Sequence, residues 1–214
     1  SIQAPSLLCV ASNAAANTLI IIPMGSVRRF ASSHLTFTLP SGEALEYSAG
    51  VGDNCMHTIY LGLGSNLGDR RANMRLAIDA LAPEVKVLAE SAVYETPPWG
   101  VENQPGLLNI ALKAETSLEP APLRDHVKRI EAEVGRTPTF HWGPRVIDID
   151  ILLYDDRIVD TPDLVIPHQQ MHKRPFVLVP LASIAPDVVH PLLGFSMREL
   201  LAHVDTSGID MLAP

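Results

Sequence analysis

The sequence predicts an α+β sandwich, in which helices pack on a small antiparallel or mixed sheet. Strand patterns with apolar residues at every second position alternate with helix patterns from Thr58 onward. In addition, 47% of the 214 residues are hydrophobic and 19% are charged, which is the composition of a chain that buries a core. These observations exclude a largely disordered protein and favour one main domain with an appendage.

Each predicted element has a local reason. Pro83 ends the first helical pattern, Gly135 offers a C-cap to the second helix, and Ser196 offers an N-cap to the last one. The predicted elements are, in chain order, a strand at 58–63, a helix at 70–81, strands at 85–95 and 108–114, a helix at 120–134, a strand at 146–154, and short helices at 175–183 and 197–204.

The chain is predicted to divide into an irregular N-terminal extension at 1–55, a main domain at 56–206 and a C-terminal tail at 207–214. The extension contains no lysine, whereas charge becomes dense after Arg70. Within it, 34–39 and 43–47 form a weak hairpin pattern. The basic, Ser-rich stretch 28–33 also has the character of an organelle transit peptide, although a disordered extension or a remnant of another domain is the preferred interpretation. Because the first residue is Ser, we expect a cut, processed or incomplete N-terminus.

Composition also limits the partners. A formal charge of −8 argues against nucleic acid. The longest apolar run, 18–24, is shorter than the ~20 residues that span a bilayer. Cys9 and Cys55 are too few for a disulfide scaffold or a four-cysteine zinc site, which favours a reducing, cytoplasmic location. We therefore expect a soluble monomer that acts on small-molecule substrates and has no nucleic-acid or membrane partner.

Two acids mark the most informative strand. Because side chains alternate along a strand, Asp148 and Asp150 project from one face, about 6.5 to 7 Å apart at Cα, while the neighbouring isoleucines face the core. Bare carboxylates at this distance repel by roughly 2 kcal/mol at an effective dielectric near 20, so we expect a compensating cation. Carboxylate oxygens suit Mg²⁺, which takes further ligands from water and phosphates. The alternative is an exposed sheet face that carries two acids.

Arginines stand at both ends of the loop that precedes this strand. Arg136 follows Gly135, and Arg145 lies at the strand entrance. Guanidinium groups match phosphate oxygens, and cations aimed at a transferring phosphoryl group stabilise its developing charge. For either arginine alone a surface ion pair is the alternative. Their position beside two acids favours phosphate binding.

Three further segments offer polar groups to a ligand. The loop 95–106 is stiffened by prolines and can present backbone groups to a flat polar ring, and Asn109 has a donor and an acceptor for a heterocycle. His168 belongs to a basic cluster that could meet a nucleotide; its spacing from His172 could bind zinc on a helix, but the preceding proline argues against that. The alternative for each is solvated surface. The Gly-rich segment 62–68 lacks a Walker motif and is interpreted as a strand-to-helix turn.

Residues 58 to about 205 resemble the 6-hydroxymethyl-7,8-dihydropterin pyrophosphokinase family of folate biosynthesis. The resemblance rests on ordered motifs: GLGSNLGD at 62–69, YETPPWG at 94–100, QPGLLN at 104–109, WGPRVIDIDILLY at 142–154 and IPH at 166–168. It implies a ferredoxin-like antiparallel sheet with helices in an αβα sandwich. It also implies ATP as co-substrate, two Mg²⁺ ions, and transfer of the β,γ-diphosphate of ATP to the pterin hydroxymethyl group with release of AMP.

The resemblance also implies roles for individual residues. Asp148 and Asp150 match the Mg²⁺ ligands, and Arg136 and Arg145 match the catalytic arginines. The implied pterin-binding residues are Thr96, Pro97, Trp99, Asn109 and Phe176. The implied ATP-binding residues are Glu131, Trp142, Ile151, His168 and Arg174. The chain departs from the family pattern at Leu107, where an aromatic residue is usual.

Two other functions stay open at this point. A metal-dependent phosphohydrolase could use the same acid pair but would release free phosphate. A non-catalytic nucleotide-binding module would show no magnesium-dependent turnover. The extension 1–55 carries no motif of dihydroneopterin aldolase or dihydropteroate synthase, the enzymes to which this family is often fused.

Overall fold

The computed structural model describes residues 8–13, 18–23, 34–38, 44–48, 55–97, 106–136 and 145–213. The chain divides into two units, Ser1–Asp53 and Asn54–Pro214. In the first unit, β1 (Leu8–Asn13) pairs with β2 (Thr18–Pro23), and β3 (His34–Thr38) pairs with β4 (Ala44–Ser48). Both pairs are antiparallel, and the second corresponds to the weak hairpin pattern predicted at 34–39 and 43–47.

The second unit is built on an antiparallel sheet whose strands differ in length. Its long central strands are β5 (His57–Ser65) and β8 (Leu107–Thr116), which pair along their whole length. On the far side of β5 lies β9 (Asp148–Tyr154). On the far side of β8 lie β6 (Val85–Glu90) and β7 (Tyr94–Thr96), and β12 (Asp210–Met211) extends the sheet beyond β7.

Helices cover both faces of this sheet. On one face, α1 (Arg70–Ala80) and α2 (Pro120–Val134) bury apolar side chains against Leu61, Leu112 and Ile149. On the other face, α3 (Pro175–Ile184) and α4 (Met197–Leu201) pack against Tyr60, Ala111 and Leu153. The arrangement confirms the α+β class predicted from the sequence.

Three helix ends carry identifiable caps, two of which were predicted. Asp69 accepts a hydrogen bond from the Ala72 amide at the start of α1. Gly135 ends α2 in the left-handed region at φ 110°, where a side chain would be strained. Ser196 and Glu199 form a reciprocal capping box at the start of α4. Gly135 and Ser196 therefore act as the sequence indicated.

Three local features differ from the prediction. The single strand expected at 85–95 is interrupted, because the ladder with β8 shifts within β6, between Val87 and Ala89, and Ser91 Oγ then accepts the Ala111 amide at 2.9 Å. A short hairpin of β10 (Val159–Thr161) and β11 (Leu164–Ile166) was not predicted. The tail predicted at 207–214 contributes β12 to the sheet. None of the helices in the described ranges is long and apolar enough to cross a membrane.

Candidate active site

The candidate site lies on the sheet face opposite α1 and α2, at the start of β9. Ile149 and Ile151 are buried in the core beneath the sheet, whereas the side chains of Asp148 and Asp150 are 23% and 33% exposed. This alternation is the one predicted for the strand. Across the ladder, Asp148 faces Gly64 and Asp150 faces Gly62, so these two β5 positions, the glycine floor, carry no side chains of their own. The Leu152 side chain lies 3.4 Å from where a Cβ of Gly62 would be.

Both oxygens of Asp148 contact arginines. Arg136 Nη1 donates to Oδ1 at 2.6 Å, and Arg145 Nη1 donates to Oδ2 in a very short contact. Burial alone would raise the pKa of Asp148, but the Arg136 and Arg145 guanidiniums outweigh it and hold that pKa below its usual value. The compensating cations that the sequence argument required are therefore the two loop-end arginines.

Asp150 has a different environment although it lies only two residues away. His168 lies beside it, with Nε2 3.9 Å from Asp150 Oδ2. Burial and then the neighbouring Asp148 carboxylate raise the pKa of Asp150. Burial lowers the pKa of His168, so neither group readily carries a charge to neutralise the other. An added cation would relieve this carboxylate.

Glu131 joins α2 to the free edge of β9. Its Oε1 accepts the Ile149 amide at 2.7 Å and Lys128 Nζ at 2.9 Å, while its Oε2 lies 2.5 Å from Arg136 Nη1. Its side chain is 3% exposed, and burial raises its pKa despite these donors. The predicted ATP contact of Glu131 is therefore not open in this conformation, in which the carboxylate holds Arg136 and the strand instead.

The predicted pterin side lies across the glycine floor. Asn109 Nδ2 donates to Thr96 Oγ1 at 3.0 Å and to the Leu107 carbonyl at 3.3 Å. Both polar side chains are buried, at 5% exposure each. A Cβ at Gly64 would lie 3.6 Å from Asn109 Oδ1 and 3.9 Å from Leu107 Cδ1, so the glycine separates the amide from the acids. Thr96 and Asn109 therefore form one polar group on this face.

The remaining predicted residues fall into three groups. Arg174 lies over the Phe176 ring, with Cζ 5.8 Å from its centroid, and Pro97 is exposed at the end of β7. Ile151 is 6% exposed and packs in the core on the α1–α2 side, so its side chain does not reach the site face. Trp99 and Trp142 lie outside the described residues.

The sequence argument missed two contributors to the site. Gly62 and Gly64 were interpreted with a turn, but both belong to β5, and their i, i+2 spacing clears one face of the strand. Lys128 was assigned no role, yet it contacts Glu131. The alternating glycines next to a strand pattern were the available signal for the first. The i, i+3 spacing of Lys128 and Glu131 within α2 was the available signal for the second.

This site has the chemistry of phosphate handling. Carboxylates for a hard cation and arginines for phosphate oxygens lie within one cluster, beside a neutral floor and a polar amide. In an antiparallel α+β domain, this combination defines an enzyme of the phosphoryl-transfer class, in which positioning and charge stabilisation do most of the work.

The particular family follows from comparison with known proteins. Residues 60–186 match the family described as 7,8-dihydro-6-hydroxymethylpterin-pyrophosphokinase (HPPK). The chain belongs to this family, which confirms the resemblance drawn from its motifs.

Relatives with curated names agree. Over 144 residues, 67% of this chain and 90% of the relative, it is 48% identical to a 2-amino-4-hydroxy-6-hydroxymethyldihydropteridine pyrophosphokinase of Aquifex aeolicus. It is also 48% identical to the protein of that name from Methylorubrum extorquens, over 72% of this chain and 98% of the relative. A Dictyostelium discoideum folic acid synthesis protein is 40% identical over 70% of this chain and 23% of its own length.

Solved structures show the same fold. A Plasmodium falciparum HPPK-DHPS structure with pteroate matches with a TM-score of 0.58 at 16% identity. The match covers 71% of this chain and 43% of that one, so the present chain spans less than half of the larger protein. At this identity the likeness concerns the fold, and it confirms the predicted sandwich of sheet and helices.

Proposed function

We propose that this protein transfers the diphosphate of ATP to 6-hydroxymethyl-7,8-dihydropterin, giving AMP and the pterin diphosphate in tetrahydrofolate biosynthesis. Membership of the pyrophosphokinase family supports the reaction. The observation that carries the proposal is the cluster in which Asp148 and Asp150 share one face of β9 with Arg136 and Arg145. It supplies both signs of charge that a metal-bound triphosphate requires.

The acids fit the two magnesium ions that the family implies. Asp150 is a partly exposed carboxylate whose charge is disfavoured where it stands, and Asp148 offers two oxygens that already contact cations. When bound by Asp148 and Asp150, Mg²⁺ would neutralise the phosphates and polarise the transferred group. The described residues contain no group of three or more acidic, His or Cys side chains placed to hold a metal alone, which suits a site completed by the nucleotide.

The arginines have a second role in this scheme. In the conformation described, Arg136 and Arg145 are held by Asp148, and Arg136 also by Glu131. We propose that they turn from these carboxylates to the phosphates of ATP when the nucleotide binds. There they stabilise negative charge as the β-phosphorus is attacked by the hydroxymethyl oxygen. Each guanidinium then has an anionic partner both before and after binding.

The substrates are proposed to meet over the glycine floor. Thr96, Pro97 and Asn109 hold the pterin, with Phe176 and Trp99 as stacking partners. We propose that His168, Arg174 and Trp142 bind ATP. Glu131 would contact ATP only after Arg136 has moved away from it, and Ile151 would contact ATP through its backbone. We assign no group to take the hydroxyl proton and propose that the protein contributes to this step by positioning the two substrates.

The direct test is incubation with ATP, Mg²⁺ and the hydroxymethyl pterin, followed by separation of the nucleotides. AMP and pterin diphosphate are the expected products. Free phosphate instead would indicate the phosphohydrolase, and absence of magnesium-dependent turnover would indicate a nucleotide-binding module. Asp150→Ala should abolish AMP formation with the fold intact, and an active Asp150→Ala protein would refute the metal role.

Arg145 provides a second test. Its proposed contact with phosphate strengthens as the transition state forms, so Arg145→Ala should lower kcat far more than it weakens pterin affinity. Steady-state kinetics with each substrate varied in turn would measure both. Weaker pterin binding at unchanged kcat would contradict the assignment.

We further propose that the enzyme works as a monomer in the cytoplasm on small-molecule substrates, without nucleic acid or membrane partners. The acidic balance of the chain, with 24 acidic against 16 basic residues, and its two cysteines support this. Light scattering of the purified protein would test the oligomeric state, and a dimer would contradict it.

A further inference from the structure

Arg70 connects the two chain segments that lead into and out of residues 98–105. Its Nη1 donates to Glu95 Oε1 at 2.6 Å and to the Gly106 carbonyl at 2.6 Å. Glu95 lies in β7 just before that stretch, and Gly106 lies just before β8. One guanidinium nitrogen therefore fixes both ends of the connection.

Arg70 contacts Glu95 on the sheet face opposite the candidate site. Glu95 pairs with Leu108, whose side chain belongs to the core under α1. Their neighbours Thr96 and Asn109 alternate to the opposite face, where they bond to each other at 3.0 Å. Arg70 stands at the start of α1 and so does not lie on the face that carries the candidate site.

Gly106 shows how closely this contact is fitted. A Cβ at this position would lie 2.9 Å from Glu95 Oε1, nearer than carbon and oxygen approach without displacement. The atom it would meet is the same oxygen that accepts the Arg70 hydrogen bond. A methyl group at position 106 would therefore require the Glu95 carboxylate to leave the position in which it accepts from Arg70.

We propose that Arg70 is a positioning residue for the pterin: by joining Glu95 to Gly106 it sets the spacing of β7 and β8 at which Thr96 and Asn109 meet. The proposal rests on the function proposed above, in which those two side chains hold the pterin. Arg70 touches neither substrate in this arrangement. Its loss should therefore weaken pterin binding and leave ATP binding unchanged.

The test compares Arg70→Ala and Gly106→Ala with Arg71→Ala. Arg71 is the next residue of α1, is exposed, and donates to the Ala213 carbonyl, so it is a matched control. Pterin affinity is measured by fluorescence titration with Mg²⁺ and a non-hydrolysable ATP analogue present, and nucleotide affinity by calorimetry. Losing an ion pair and a charged hydrogen bond should weaken pterin binding by about tenfold in the first two variants. Arg71→Ala should match the wild type.

Exchange of the charges separates positioning from general destabilisation. Arg70→Glu combined with Glu95→Arg restores the ion pair and should recover most of the pterin affinity that Arg70→Ala loses. Should Arg70→Ala fail to fold, Glu95→Gln removes the charge with little change of shape and should show the same selective loss. Equal weakening of ATP and pterin, or an unchanged pterin affinity in Gly106→Ala, would overturn the proposal. Failure of the wild type to form AMP would instead refute the proposed function.

Discussion

Replacing each of the two aspartates of β9 by asparagine should shift the stability of the ligand-free protein in opposite directions. Asp148 accepts hydrogen bonds from two guanidiniums, whereas Asp150 lies beside a second carboxylate and a histidine whose pKa is lowered. Asp148→Asn removes the charge that both arginines share. Asp150→Asn removes a charge that the fold disfavours. The two variants have the same chemistry and lie two residues apart, so each is a control for the other.

The structure sets the magnitudes. Hydrogen bonds to charged groups contribute about 1.5 to 3 kcal/mol each, and an amide retains part of the pair, so Asp148→Asn should cost about 2 kcal/mol. Repulsion between carboxylates near 7 Å is about 2 kcal/mol at an effective dielectric of 20, and partial exposure together with the arginines on Asp148 reduces the gain from Asp150→Asn to about 1 kcal/mol. For a domain of this size, Tm should fall by about 4 to 8 °C in the first case and rise by about 2 to 4 °C in the second.

The assay is thermal unfolding without metal or nucleotide, followed over a range of pH. Because the pKa of Asp150 is raised, the wild type loses stability as pH rises from the ordinary carboxyl pKa through the raised one, and Asp150→Asn does not. Because the pKa of Asp148 is lowered, its contribution is complete above the ordinary value and is lost as pH falls through the lowered one. Both variants should therefore approach the wild type in acid.

A surface pair provides the reference. Asp125 accepts two hydrogen bonds from Arg124 but its side chain is 68% exposed, so Asp125→Asn should change Tm very little. Shifts of the same sign in Asp148→Asn and Asp150→Asn at neutral pH would refute the reasoning, because they would show that the two carboxylates share one environment.

Three further substitutions test the frame around the site. Gly64→Ala should preserve stability to within about 1 kcal/mol, since the added Cβ makes ordinary contacts, yet raise the KM for pterin by about tenfold by filling the floor beside Asn109; unchanged kinetics would contradict this. Ser91→Ala leaves the buried Ala111 amide without its acceptor and should cost about 1 to 3 kcal/mol in denaturant unfolding, and an unchanged stability would contradict this. Ser196→Ala removes the α4 cap and should cost about 1 kcal/mol by the same measurement, with no change in kcat.

The sequence predicted those parts of the fold that depend on local pattern. The period of two placed Asp148 and Asp150 on one face, and capping residues marked the ends of α2 and α4. The break between β6 and β7 escaped prediction because it depends on Ser91 meeting an amide 20 residues away. The strands β10, β11 and β12 have two or three residues each, too few to show a period.

The candidate site was predictable in its residue types and less so in its contacts. Placing Arg136 and Arg145 at the two ends of one loop followed from the sequence, and the need for a cation near the acids followed from Coulomb's law. Both arginines pair with Asp148, and Glu131 accepts the Ile149 amide at the edge of β9. These contacts depend on how α2 lies along that strand, which no local pattern shows. The roles of these residues in catalysis stay predictions.

The pairing of both loop-end arginines with Asp148 has a consequence for selectivity. A simple anion such as sulfate would have to draw the guanidiniums away and leave that carboxylate without a counterion, so it gains little by entering. A ligand that carries its own divalent cation offers anionic groups to the arginines and a cation to Asp148 at the same time. The site should therefore discriminate against free phosphate and against nucleotide without a bound metal ion, and inhibitors that mimic only the anionic half of the substrate should bind it poorly.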